Sequence, residues 1–148
     1  MDIQPFCCFF RWLYSLLFNW ILEQKNIELV MDVESNVVDI DATSISQVMS
    51  NLLDNAIRYY EGTDPITIKG EKLSKAYKVS ITGPGRSIIK VERKRIFERL
   101  YRTESSKSQA KGGTGLGLAI SKEIIERHHG EISLHSDGST HTFWFTLP

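Results

Sequence analysis

Apolar residues recur at Ile45, Val48, Met49, Leu52, Leu53, Ala56, Ile57 and Tyr60. That i, i+3, i+4, i+7 spacing gives a helix one buried face, so residues 44–60 are predicted helical. Ser44 and Gln47 have the spacing of a capping box at its start, and Glu61-Gly62 closes it. Residues 27–33 and 37–41 read as strands joined by the Glu34-Ser35-Asn36 turn, the second the hairpin partner of the first. Residues 65–70 and 75–82 alternate apolar and polar positions, which predicts an antiparallel pair with Ile66, Ile68, Tyr77, Val79 and Ile81 on one core face. Gly83-Pro84-Gly85 reads as a sharp turn, either a plain one or one where backbone approaches a ligand. Residues 92–102 form a short basic helix with Ile96, Phe97 and Leu100 on one side. The small, polar residues 103–113 have the composition of a loop beside an active site. A last helix opens in GGTGLGLAIS and is stopped by Gly130 as its C′ residue, and residues 130–136 and 140–148 close the chain as a hairpin.

The most apolar stretch is residues 5–22, PFCCFFRWLYSLLFNWIL. Its length approaches a bilayer span, but Arg11, Ser15 and Asn19 recur at i+4 and mark a polar stripe, which favours a packing or interface helix over a membrane segment. No positive n-region or small-residue cleavage site marks it as a secretory signal. Residues 1–25 are accordingly set apart as an apolar helix or linker and candidate dimer surface, and residues 26–148 as the main domain.

Composition narrows the function classes. The 148 residues carry 18 Lys and Arg against 18 Asp and Glu, so no global field points to nucleic acid. Cys7 and Cys8 are adjacent and cannot staple distant segments or form a paired zinc motif, which fits a reducing compartment.

Candidate chemistry lies on two segments. On the second face of the 44–60 helix, Asn51 and Asn55 are one turn apart and Arg58 follows, with Tyr59 beside it. Amide oxygens and a guanidinium along one line suit a hydrated Mg²⁺ carrying phosphates, because magnesium keeps several waters and takes few protein oxygens. Gly112, Gly113, Gly115 and Gly117 let backbone N–H groups turn toward a phosphate at the positive end of the next helix. The segment has neither the Gly-Lys-Ser/Thr ending of a Walker A loop nor the preceding strand of a dinucleotide fingerprint.

NLLDNAIRY, IFERLYR, GGTGLGLAI and FWFTLP, in this order and spacing, resemble the N, F and G2 boxes and terminal strand of the ATP-binding domain of bacterial sensor histidine kinases. The match runs from about residue 27 to 148 and is closer to the kinases than to the gyrases or chaperones of the same Bergerat-fold superfamily. The resemblance implies a two-layer α/β sandwich, a mixed, mostly antiparallel sheet on one layer of helices, with ATP and Mg²⁺ as cofactors. By that resemblance Asn55 is the Mg²⁺ ligand, Asn51 and Arg58 lie near the phosphates, and Tyr59 lies by the nucleotide. Gly113, Thr114, Gly115, Leu116 and Gly117 line the phosphate side, and Gly83 and Gly85 belong to the G1 box. Arg99, Arg102, Lys107 and Lys111 are candidates for phosphate contact.

The base side departs from the family. Its G1 box reads Asp-x-Gly-x-Gly, with the Asp accepting from the adenine amino group; here Ile81 precedes Thr82-Gly83-Pro84-Gly85. The Gly-x-Gly-Thr of the family is Gly138-Ser139-Thr140-His141, and Thr82 is the candidate replacement oxygen should the strand end shift. None of His128, His129, His135 and His141 is followed by Glu or Asp as a phosphoacceptor would be, and they read as surface or cap histidines, so no catalytic residue is assigned and the chain is not expected to autophosphorylate alone. The expectation is an ATP-binding module that supplies a phosphoryl group to a histidine on a separate dimerisation domain and acts on a response regulator only indirectly. It would lie in the cytoplasm, touching the membrane only through a parent protein, with the chain a fragment or divergent at its N terminus. The alternative is a pseudo-ATPase interaction module that has lost adenine recognition.

Overall fold

The computed structural model describes residues 2–101 and 115–148, with side chains other than those of residues 2–7 and Leu17. Strand β1 (Asp2–Pro5) leads into helices α1 (Phe6–Leu17) and α2 (Asn19–Gln24), followed by β2 (Leu29–Val33), β3 (Val37–Ile40) and helix α3 (Ala42–Arg58). Next come β4 (Ile66–Lys72), β5 (Tyr77–Pro84), α4 (Lys90–Arg95), α5 (Gly117–Arg127), β6 (Ile132–Asp137) and β7 (Thr140–Leu147). Five strands form one sheet in the order β2-β4-β5-β7-β6, parallel between β2 and β4 and antiparallel elsewhere, while β1 and β3 pair separately. The expected mixed, mostly antiparallel sheet with helices packed on it is therefore present.

One face of the sheet carries the core. Ile66, Ile68, Tyr77, Val79, Ile81, Phe145 and Leu147 are buried on it, against Ile45, Val48, Met49, Leu52, Leu53 and Ile57 from the apolar stripe of α3. Phe9, Phe10 and Leu13 of α1, with Phe18 and Leu22, join the same core, whereas Arg11, Ser15 and Asn19 are exposed as their spacing requires. Among the described residues no helix is long and apolar enough to cross a membrane.

Four local expectations are corrected. First, β2 and β3 are not a hairpin: β2 adds in parallel to β4, and β3 pairs with β1. The Glu34 N–H donates to the Gly70 carbonyl at 2.8 Å and the Tyr77 hydroxyl donates to the Glu34 carbonyl, so the intervening turn is fixed by β4 and β5. Second, α3 starts two residues before the Ser44 capping box. Asp41 is the N-cap, accepting from the Thr43 N–H at 3.2 Å and the Ser44 hydroxyl at 2.8 Å, a better acceptor for the orphan donors of a helix start than a hydroxyl. Third, the basic helix is only Lys90–Arg95, and Leu100 is exposed with a left-handed φ of 62°. Fourth, Gly130 is not the left-handed residue closing α5; His129 is, at φ 60°.

His129 sits in a six-residue C-terminal lock. Its N–H donates to the Glu126 carbonyl at 3.0 Å and the Gly130 N–H to the Ile125 carbonyl at 2.9 Å. Gly130 is needed for another reason, since a Cβ there would collide with the Thr146 carbonyl oxygen. Asn26 closes α2 the same way at φ 55°, with Ile27 donating to the Leu22 carbonyl at 3.0 Å and packing beside it.

Two measurements test this account. Because a left-handed conformation costs a non-glycine residue about 1–2 kcal/mol, His129→Gly is expected to raise stability by about 0.5–1 kcal/mol in urea unfolding, part of the gain being offset by unfolded-state entropy. The Asp41 carboxyl is held below its ordinary value of 3.8 by the Ser44 hydroxyl first and the Ser44 N–H next. A lowered folded-state value means the cap's contribution is present above 3.8 and lost as pH falls through the folded value. Asp41→Asn should therefore flatten the loss of stability in that acid range, read from unfolding midpoints against pH.

Candidate functional site

The second face of α3 meets the start of α5. Asn51 donates from Nδ2 to the Gly117 carbonyl at 3.1 Å and to Ser121 Oγ at 3.2 Å, and the buried Ser121 hydroxyl donates to the same carbonyl at 2.9 Å. Both amide hydrogens are thus used on α5, which turns the Asn51 carbonyl oxygen away from that contact. One turn on, Asn55 is half-buried, and among the described residues its side-chain amide has no protein partner. A half-buried amide oxygen without a protein partner among the described residues, one turn along from the Asn51 contact with α5, fits a hydrated cation that brings its own waters.

The opening of α5 is the second part of the candidate site. Among the described residues no side chain caps its start at Leu116, and no acidic residue lies in its first turn to offset the positive dipole end. Gly115 holds φ 76°, and a Cβ there would lie 3.0 Å from Leu100 Cα and 3.1 Å from its carbonyl carbon. Its carbonyl accepts the Leu100 N–H at 2.9 Å. The glycine is required by this close crossing as well as by its backbone angle.

Other expected site residues are held by neighbours. Arg58 reaches back one turn to Asp54 at 2.8 Å, and Arg99 lies 3.4 Å from Glu123, which also takes Arg127 at 2.6 Å. Both arginines are partly exposed, so these pairs are weak enough for a phosphate to compete with them. Tyr59 is the C-cap of α3, its N–H donating to the Asn55 carbonyl at 3.1 Å. Arg102, Lys107, Lys111, Gly112, Gly113 and Thr114 lie outside the described residues.

The base side is built as a wall. The expected sharp turn at Gly83-Pro84-Gly85 is corrected: β5 continues, pairing Gly83 with His141 and Pro84 with Thr140, and Gly85 bridges to Tyr60. Gly85 donates to the Ser139 carbonyl at 2.8 Å, and Pro84 accepts from Glu61 N–H at 3.3 Å. A Cβ on Gly85 would come within 3.1 Å of both the Tyr59 carbonyl oxygen and the His141 ring, so close packing selects the glycine. Ile81 is 1% exposed in the core and offers no acceptor. Thr82 alternates to the opposite sheet face, where its hydroxyl bonds Thr142 Oγ1 at 2.9 Å, so it does not stand in for a carboxylate.

His141 is the residue sequence reasoning missed. It shares the core-facing parity of Phe143, Phe145 and Leu147, bonds Ser136 Oγ through Nδ1 at 2.7 Å and reaches the Arg86 carbonyl through Nε2 at 2.5 Å. A carbonyl only accepts, so Nε2 carries hydrogen. The visible signal was that parity along β7.

Taken together, an amide with no protein partner among the described residues, a helix opened by Gly115 and Gly117 and an α/β sandwich have the parts of a nucleotide-binding domain. The chain belongs to the histidine kinase-, DNA gyrase B- and HSP90-like ATPase family, whose model matches residues 40–148, and such a domain is an ATP-binding one. It is 36% identical over 129 residues to the sensor protein VanSC of Enterococcus gallinarum, covering 86% of this chain and 36% of that protein. Its fold matches the nucleotide-free catalytic domain of the histidine kinase ThkA with a TM-score of 0.85 at 29% identity, over 100% of this chain and 98% of that one. It also matches ThkA in complex with the response regulator protein TrrA at TM-score 0.82 and 27% identity, over 99% and 41% of the respective chains. The chain spans between 21% and 36% of the length of the curated relatives it matches. These likenesses are to catalytic domains of sensor histidine kinases and do not favour the pseudo-ATPase alternative.

Gly115→Ala is expected to lower stability by about 1–2 kcal/mol through its left-handed backbone and to weaken nucleotide binding at least ten-fold. Thermal unfolding and calorimetric titration on the same sample read the two effects.

Proposed function

We propose that the chain is the ATP-binding catalytic module of a two-component sensor kinase, passing the terminal phosphoryl group of ATP to a histidine on a separate dimerisation domain. The observation that carries this is the Asn51 tether to Gly117 and Ser121 at the start of α5, with the Asn55 amide one turn further along α3 and without a protein partner among the described residues. In this reading Asn55 is the direct protein ligand of Mg²⁺, which when bound neutralises charge on the phosphate oxygens. Backbone N–H groups at the start of α5 hold phosphate oxygens, and Arg58 and Arg99 exchange their carboxylate partners for phosphate. Positioning and charge stabilisation are most of what a phosphoryl-transfer site supplies. The response regulator receives the phosphoryl group from the partner histidine, in keeping with the ThkA and TrrA complex.

The base side gives this module its own character. An adenine amino group facing Ile81 loses a hydrogen-bond acceptor, a cost of roughly 1–3 kcal/mol that corresponds to about ten- to a hundred-fold in affinity. His141 has both ring nitrogens engaged and leaves no free acceptor there. Grip on the nucleotide therefore rests on the triphosphate, and purine discrimination is shallow.

Calorimetric titration with non-hydrolysable ATP and GTP analogues, with and without Mg²⁺, tests the proposal. The expected result is weak, Mg²⁺-dependent binding of both within about ten-fold of each other, abolished by Asn55→Ala, with Ile81→Asp strengthening the adenine nucleotide alone. No binding at millimolar nucleotide in the parent would overturn it.

A further inference from the structure

Among the histidines of the chain, His128 has a ring nitrogen that must stay unprotonated. It is the C-cap of α5, half-buried against the start of α3. Its Nδ1 lies 2.8 Å from the Ile124 carbonyl, which only accepts, so Nδ1 carries hydrogen. Its Nε2 lies 3.2 Å from the Asp41 N–H, which only donates, so Nε2 carries none. The bridge between the two helices therefore exists only with a neutral ring in one tautomer. A proton on Nε2 would set N–H against N–H.

The other histidines lack that property. His141 bonds a hydroxyl and a carbonyl, and because the Ser136 hydroxyl can turn to accept, a charged ring keeps both partners. His129 and His135 are exposed, and among the described residues their rings make no hydrogen bond.

Two features attract a charged ring at position 128. The Asp41 carboxylate faces it from the N-cap of α3, and the negative dipole end of α5 lies on its own side. The neighbouring Arg127 guanidinium is engaged by Glu123 at 2.6 Å. The Asp41 N–H opposes the charge. A charged ring thus leaves the backbone donor for the carboxylate, which is the group that caps α3 through Thr43 and Ser44. One proton costs the bridge and competes with the cap.

We propose that His128 is a positioning residue, a proton-sensitive latch that holds the register of α5 on α3 when neutral and releases it when charged. Asn51 reads that register at the other end of the pair, about 15 Å along α3 from Asp41, through its bonds to Gly117 and Ser121. The consequence for nucleotide rests on the ATP-binding reading, whereas the latch itself does not.

Proton–nitrogen NMR of the nucleotide-free chain between about pH 8 and about pH 5.5, where an imidazole titrates, tests the latch. The expected result is that the Asp41 backbone amide and the Asn51 side-chain amide shift together with the His128 ring. His128→Gln, whose amide oxygen accepts from the Asp41 N–H at any pH, should hold both resonances still over that range. His128→Ala should show them displaced throughout. Calorimetric titration with a non-hydrolysable ATP analogue then reads the site. From the alkaline to the acid end, affinity of the parent should fall about five-fold or more beyond the fall in His128→Gln, the low end of ordinary coupling between sites. An Asn51 amide that stays put while the His128 ring titrates overturns the proposal, as does a His128→Gln chain with the parent's pH profile. A parent that binds no nucleotide, but whose two amides move with the ring, upholds the latch and overturns the ATP-binding reading alone.

Discussion

The register between α3 and α5 is the constraint on which the site depends. Two tethers set it. At one end the Asn51 amide holds the Gly117 carbonyl and Ser121 hydroxyl. At the other, the Asp41 N–H donates to His128 Nε2 at 3.2 Å, while His128 Nδ1 donates to the Ile124 carbonyl at 2.8 Å. The helices therefore run antiparallel with both ends pinned. A slide of one residue, 1.5 Å, would break both tethers and carry the glycine-rich start of α5 away from Asn55.

At the other edge of the candidate site, Ile81 and the residues around the end of β5 are arranged for packing. Ile81 adds apolar volume to the core between Val79 and the α3 stripe, where a carboxylate would need a partner to be tolerated. His141 then ties the extended G1 strand to β6 through Ser136 and to Arg86, and Arg86 pairs with Glu61 at 2.8 Å. Residues 83–86 are thus braced from the end of α3 and from the β6–β7 hairpin. These contacts stabilise the domain without nucleotide.

Local periodicity carried most of the fold. The α3 stripe, the β4–β5 face and the β6–β7 hairpin were legible because each repeats within a few residues and a one-position error would invert its burial. The β2–β3 pairing was not legible: a polar tripeptide between two apolar runs looks like a hairpin turn, and only the parallel partner β4, far along the chain, decides otherwise. Gly83-Pro84 carried a turn signal that pairing with β7 overrode. At the site, residue types announced Asn51 and Asn55, but which amide is spent on protein and which is left over depends on Gly117 and Ser121, more than sixty positions away. His141 was hidden because its bridge needs Ser136 and Arg86 brought together by the sheet.

Two left-handed residues meet beside the start of α5, at the borders of residues 102–114. Leu100, exposed and at φ 62°, donates its N–H to the carbonyl of Gly115 at φ 76°, and the two backbones cross so closely that a Cβ on Gly115 would press on the Leu100 backbone. A leucine in that conformation costs about 1–2 kcal/mol, and its side chain recovers little by burial. What the crossing achieves is closure: the residues on either side of 102–114 are clamped together by the scaffold. The entropy of bringing those ends together is then met in folding rather than in ligand binding. The clamp sits beside the start of α5, so relieving the strained leucine would loosen the helix start that the two tethers hold in register.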